Sequence, residues 1–88
     1  VRERDIEAYL VNRVQSLGGE IRKVNWIGRR GAPDRCVMLD GKTIFIELKA
    51  PGVAAEPHQL REHARMRKMG QRVEVIDSLE GVEALLCS

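Results

Sequence analysis

A small α/β domain, a mixed sheet flanked by helices, is predicted by three observations on this 88-residue chain. Apolar residues recur at helical spacing near the start, short runs rich in strand-forming residues fill the middle, and helical and strand patterns then alternate to the end. The expected order is α-β-β-β-α-β-α. No repeat, low-complexity tract or interdomain linker interrupts it, so residues 1–88 are read as one domain.

Ile6, Leu10, Val14 and Leu17 predict a helix over 2–17, stopped by Gly18-Gly19. Over 20–27, Ile21, Val24, Trp26 and Ile27 alternate imperfectly with polar residues, and a strand is expected. Gly28-Arg29-Arg30-Gly31-Ala32-Pro33 reads as a basic loop. Residues 34–39 and 43–49 are strand-like, and Asp40-Gly41 between them is a hairpin turn signal. Ala50-Pro51-Gly52 ends the second of these strands, because Pro has no N–H to donate. A second helix over 57–69 opens with Pro57 in its first turn and stops at Gly70. Val73-Glu74-Val75-Ile76 is a short strand, and Asp77 is the expected cap of a last helix through Leu86, with Glu80 placed for a capping box.

Composition narrows the functional classes. No apolar run is long enough to span a membrane and no signal-peptide pattern opens the chain, so a cytoplasmic protein is expected. Cys36 and Cys87 lie at no zinc-ligand spacing and are read as free thiols. A chain this short, with only Trp26, Tyr9 and Phe45 as aromatics, buries a modest core and is often helped by a partner subunit. Net charge is only +2, from 15 Lys+Arg against 13 Asp+Glu. Its distribution says more: Arg22, Lys23, Arg29, Arg30 and Arg35 surround Asp34, and Arg61, Arg65, Arg67, Lys68 and Arg72 follow Lys49. Basic surface around an acidic centre suits a phosphodiester substrate.

The chemistry concentrates in Pro33-Asp34 and Glu47-Leu48-Lys49. Positions i and i+2 of a strand share a face, so Glu47 and Lys49 project together, and Asp34 joins them if the two strands pair. Mg²⁺ takes oxygen ligands and keeps several waters, so two carboxylates and the Leu48 carbonyl are a sufficient set. Lys49, a compact cation, suits the orientation of an attacking water or the charge that develops on a phosphate. Glu47 stands in a very apolar run, where a charge is costly without a role.

In this order, Glu7, Asp34, Glu47-Leu48-Lys49 and Gln59 resemble the motifs of the PD-(D/E)xK nuclease superfamily. The segments Gly31-Ala32-Pro33-Asp34, Glu47 to Gly52 and Pro57-His58-Gln59 are similar to those of its virus-type replication-repair (VRR-NUC) family, over about residues 3–77. The resemblance implies a restriction-endonuclease-like core with catalytic residues Glu7, Asp34, Glu47, Lys49 and Gln59. It implies metal ligands Glu7, Asp34, Glu47 and Leu48, binding Mg²⁺ with Mn²⁺ able to substitute. Glu3 shares a helix face with Glu7 and is the alternative carboxylate from the first helix. Arg29, Arg30 and Arg35 are expected to contact DNA. Gln59 is expected to hold a metal-bound water or a phosphate oxygen. His63 is expected to pack or to touch phosphate, and neither it nor His58 is expected to be catalytic. Trp26 is read as a base-stacking, core or interface residue.

The implied activity is structure-specific cleavage of DNA, with Holliday-junction resolution by a phage-type homodimer in a bacterial host cell as the leading form. Flap, single-strand or restriction-type cleavage, and a non-catalytic DNA-binding subunit, stay open as alternatives.

Overall fold

The computed structural model describes residues 1–87. Its elements are α1 (Glu3–Ser16), β1 (Glu20–Lys23), β2 (Arg35–Leu39), β3 (Lys42–Leu48), α2 (Pro57–Lys68), β4 (Arg72–Ile76) and α3 (Leu79–Leu86). The four strands form one sheet in the order β1-β2-β3-β4, antiparallel up to β3 and parallel between β3 and β4. The mixed sheet follows from the connections. Asp40 and Gly41 both take positive φ, 52° and 75°, the tight hairpin geometry that an Asp-Gly pair favours. A parallel neighbour instead needs a long crossover, which α2 supplies.

Alternation on the strands divides the sheet into two unequal faces. Val37, Ile44, Ile46, Leu48 and Ile76 meet Ile6, Leu10 and Val14 of α1 and Val82 and Leu85 of α3 in the principal core. Leu10, Val14 and Ile46 are fully buried, and truncating such a residue to Ala typically costs about 2–5 kcal/mol. The two helices are also tied by polar groups. Glu83 accepts from the Tyr9 hydroxyl at 2.7 Å and from Arg13 Nε at 2.7 Å. These bonds, Arg13 first, hold the Glu83 carboxyl below its usual range. The other face carries Phe45 and Glu47 and is covered only in part, by α2.

Two expectations need correction. β1 ends at Lys23, and only one further bond, from Val24 N–H to the Asp34 carbonyl, continues its pairing. Trp26 therefore lies in the loop, where its indole N–H donates to the Pro33 carbonyl at 2.6 Å. The last helix is capped by Ser78, whose hydroxyl accepts from Gly81 N–H at 2.9 Å, so Gly81 rather than Glu80 occupies the third helical position. Asp77 is drawn away and accepts from Gly52 N–H. Both cysteines are free thiols, and burial pushes the Cys36 thiol up. Among the described residues no helix is long and apolar enough to cross a membrane.

Candidate active site

The β2–β3 register places Arg35 opposite Ile46 and Cys36 opposite Phe45. Continued by one residue, it sets Asp34 opposite Glu47, on the face that α2 partly covers. Asp34 is more than half exposed, whereas the Glu47 side chain is only 12% exposed. Burial, followed by the negative charge of Asp34, raises the Glu47 carboxyl from 4.5 to about 7; Lys49 opposes that rise. Lys49 Nζ stands 4.0 Å from Glu47 Oε2. Its side chain is nearly buried as well, so the ammonium is confined to this neighbourhood.

The direction of the Leu48 carbonyl follows from peptide geometry. Lys49 N–H donates to the Ile76 carbonyl of β4 at 2.9 Å. Within one trans peptide unit C=O and N–H point in opposite directions, so the Leu48 oxygen is directed toward the β2 side. There the continued register offers Pro33, which has no N–H to take it up.

Gln59 completes the group from above. It is the third residue of α2, and its Oε1 accepts the backbone N–H of Glu56 at 2.8 Å. With the oxygen so engaged, the amide nitrogen must face the other way, and it lies 3.5 Å from Glu47 Oε2. Gln59 is thus both a helix cap and a site residue. The first role was readable from Glu56-Pro57 followed by Gln at the capping position, but the sequence reading missed it.

The carboxylates of α1 divide. Glu7 is engaged by Arg35, which also reaches Asp34 at 3.2 Å. Glu3, one turn earlier, is the helix carboxylate whose charge reaches both Glu47 and Arg35. Among the described residues no three His, Cys, Asp or Glu side chains converge as a metal-binding group. The register leaves Asp34 and Glu47 as neighbouring carboxylates, while Glu7, expected as a further ligand, is paired with Arg35 instead; such a sparse oxygen set suits a cation that retains waters.

No protein-family model matches the chain. It is 52% identical over 79 residues to "Putative nuclease p44" of Acyrthosiphon pisum secondary endosymbiont phage 1, spanning 89% of this chain and 85% of that relative. A solved structure described as a VRR_NUC domain superposes with a TM-score of 0.86 at 41% identity, over 96% of this chain and 92% of that one. The chain belongs to the VRR-NUC family of nucleases.

In this VRR-NUC domain the expected DNA contacts do not behave alike. Arg30 is exposed in the loop, and Arg29, also exposed, lies 3.8 Å from Glu62 of α2. Arg35 is buried between Glu7 and Asp34, so it holds carboxylates in place instead of reaching an outer strand. Arg67 is likewise spent on structure, donating twice to the Val73 carbonyl. His63 is fully buried and cannot touch phosphate. Neither ring nitrogen makes a hydrogen bond among the described residues, and burial, with the charge of Arg67 next, pulls its pKa down despite the nearby Gly31 carbonyl.

The loop carrying Asp34 is seated by close approach at Gly31. A methyl group there would stand 2.8 Å from the His58 carbonyl and 3.1 Å from Gln59 Cα, and φ is +82°. Gly31→Ala is therefore expected to lower stability by about 1–3 kcal/mol and to reduce cleavage by separating Asp34 from α2. Gly28→Ala, with a similar φ but open space around it, should show only the backbone cost. Thermal melts of the two variants decide the matter; equal losses would remove the packing explanation.

Proposed function

We propose that this nuclease is a divalent-metal-dependent, structure-specific DNA endonuclease that resolves four-way junctions as a homodimer. The observation that carries the reading is Glu47, a nearly buried carboxylate beside Asp34 whose proton affinity is raised first by burial and then by the negative charge of Asp34. Keeping such a group costs stability unless a cation offsets it.

Asp34, Glu47 and the Leu48 carbonyl would hold the ion, Mg²⁺ with Mn²⁺ as substitute. When bound, it polarises the phosphoryl oxygen and makes a coordinated water more acidic. The remaining work falls to protein groups. Lys49 places a confined positive charge where the phosphate becomes more negative. Gln59 holds Glu47 in orientation and presents amide hydrogens toward the same point. Arg35, itself paired with Glu7, keeps Asp34 aligned. The exposed Arg29 and Arg30 suit backbone phosphates on either side of the cut.

The dimer rests on stoichiometry. One chain holds one set of these residues, whereas resolving a four-way junction needs two nicks on strands related by twofold symmetry. Cleavage of end-labelled junction, flap and linear duplex in Mg²⁺, Mn²⁺ or EDTA is the test. Paired symmetric nicks on the junction, absent in EDTA, are expected. Cutting of one flap branch alone would replace the resolvase assignment, and binding without cleavage of any substrate would reduce the chain to a DNA-binding module.

A further inference from the structure

The face of the sheet that α2 leaves partly open carries a second feature beside the catalytic pair. Trp26, Phe45, Met66 and Met69 line a groove of about 360 Å³, and Arg29 and Arg65 contribute its more exposed edge. That volume lies within the range of small-molecule sites, about 300–1,000 Å³. The rings of Trp26 and Phe45 stand 5.7 Å apart at 56°. Met69 is largely exposed at the groove.

Three observations indicate what the groove takes. The first is position. Phe45 and Glu47 share a face of β3 and are separated by about 7 Å, two strand residues of roughly 3.3 Å each. A nucleotide whose phosphate lies at Glu47 therefore brings an adjoining base within reach of Phe45. The second is the state of Trp26. The one polar atom of its side chain is spent on the Pro33 carbonyl, immediately before Asp34, so what the side chain offers a ligand is ring surface. The third is charge. Arg29 and Arg65 both turn toward Glu62, two guanidinium groups against one carboxylate, which leaves the edge positive. An apolar floor with a positive edge matches a nucleotide better than it matches an uncharged helix.

We propose that this groove receives one unstacked nucleobase of the substrate strand, next to the scissile phosphate. The enzyme would then favour DNA whose bases are free to leave the helix at the cut, as at branch points and in single strands. The inference deepens the nuclease reading above and rests on it.

Trp26 is the chain's only tryptophan and so reports on the groove directly. The full chain in EDTA is titrated with a single-stranded oligonucleotide, with the same strand fully paired, and with a strand lacking the base beside the cleavage position. Single-stranded DNA is expected to quench Trp26 emission saturably, and the paired or abasic forms to quench it less. Met69→Glu, at an exposed position, and Phe45→Leu, which keeps apolar volume without the ring, are each expected to weaken single-strand binding by about 10-fold. Emission unchanged at concentrations where a gel shift shows binding would overturn the inference, as would equal quenching by abasic and intact strands. Emission that shifts with protein concentration in the absence of DNA would assign the groove to a second copy of the chain and also overturn it. Junction cleavage by the same preparation in Mg²⁺ separates the two levels. If cleavage is present without base-dependent quenching, the groove assignment falls and the nuclease reading stands. If cleavage is absent on every substrate, the nuclease reading itself falls.

Discussion

Asp34→Ala is expected to lower cleavage by at least about 10²–10³-fold, the size of effect seen when one preorganised contact to a developing charge is removed. Binding of the uncut junction should be retained. The Asp34 side chain is more than half exposed and its backbone carbonyl, which accepts from Val24, is unaffected by the substitution. Arg35 loses one carboxylate but keeps Glu7. The fold should therefore survive, and removing a negative charge from the site should tighten DNA binding slightly. The measurement is single-turnover cleavage beside a gel-shift titration. A variant that cleaves like the parent would take Asp34 out of the metal set, and one that neither cleaves nor binds would point to misfolding, detectable by its melt.

Glu47→Gln is expected to abolish cleavage and, in the absence of divalent cations, to make the protein more stable above neutral pH. The folded Glu47 titrates at about 7 against an ordinary 4.5. The folded state thus binds the extra proton between those values, and wild-type stability should fall as pH rises through that window and level off above it. The penalty reaches about 3 kcal/mol at most, from a shift of about 2.5 pH units at 1.36 kcal/mol each, with coupling to Asp34 and Lys49 sharing it. Gln keeps the shape and can still accept from Gln59 while removing the charge. His63 acts in the opposite direction. Its folded pKa is depressed, so stability is lost as pH falls below the ordinary imidazole value. The difference between variant and wild type isolates Glu47, because both carry His63. Melts from pH 5 to 8, with EDTA and with Mg²⁺, should show the variant's advantage growing with pH and shrinking when the cation is added. Parallel pH curves in EDTA would mean that Glu47 is not held at a cost.

Both expectations depend on how the candidate catalytic residues came together, and the two levels of structure contributed differently. Glu47 and Lys49 were recognisable as a same-face pair from strand alternation alone, and the Asp40-Gly41 turn implied the hairpin that brings Asp34 across to them. These are local rules: period two on a strand, positive φ at a tight turn. Capping was less legible. Asp77 and Ser78 are both good caps, and the choice fell to Ser78 while Asp77 accepted a hydrogen bond from Gly52, a residue far away in the sequence.

The amino-acid sequence by itself determined the element order, the hairpin register and the line of Asp34, Glu47 and Lys49, because each follows from periodicity and turn chemistry within a few residues. The tertiary structure alone decided which carboxylate of α1 meets Arg35, that Arg35 and His63 are buried, and that the Gln59 amide faces Glu47. It also took Trp26 off the strand and onto the wall of a groove. Periodicity states which side chains share a face, but not which helix covers that face or how closely. Those outcomes were settled by packing between segments distant in the chain, at Gly31 against α2 and at α1 against the sheet.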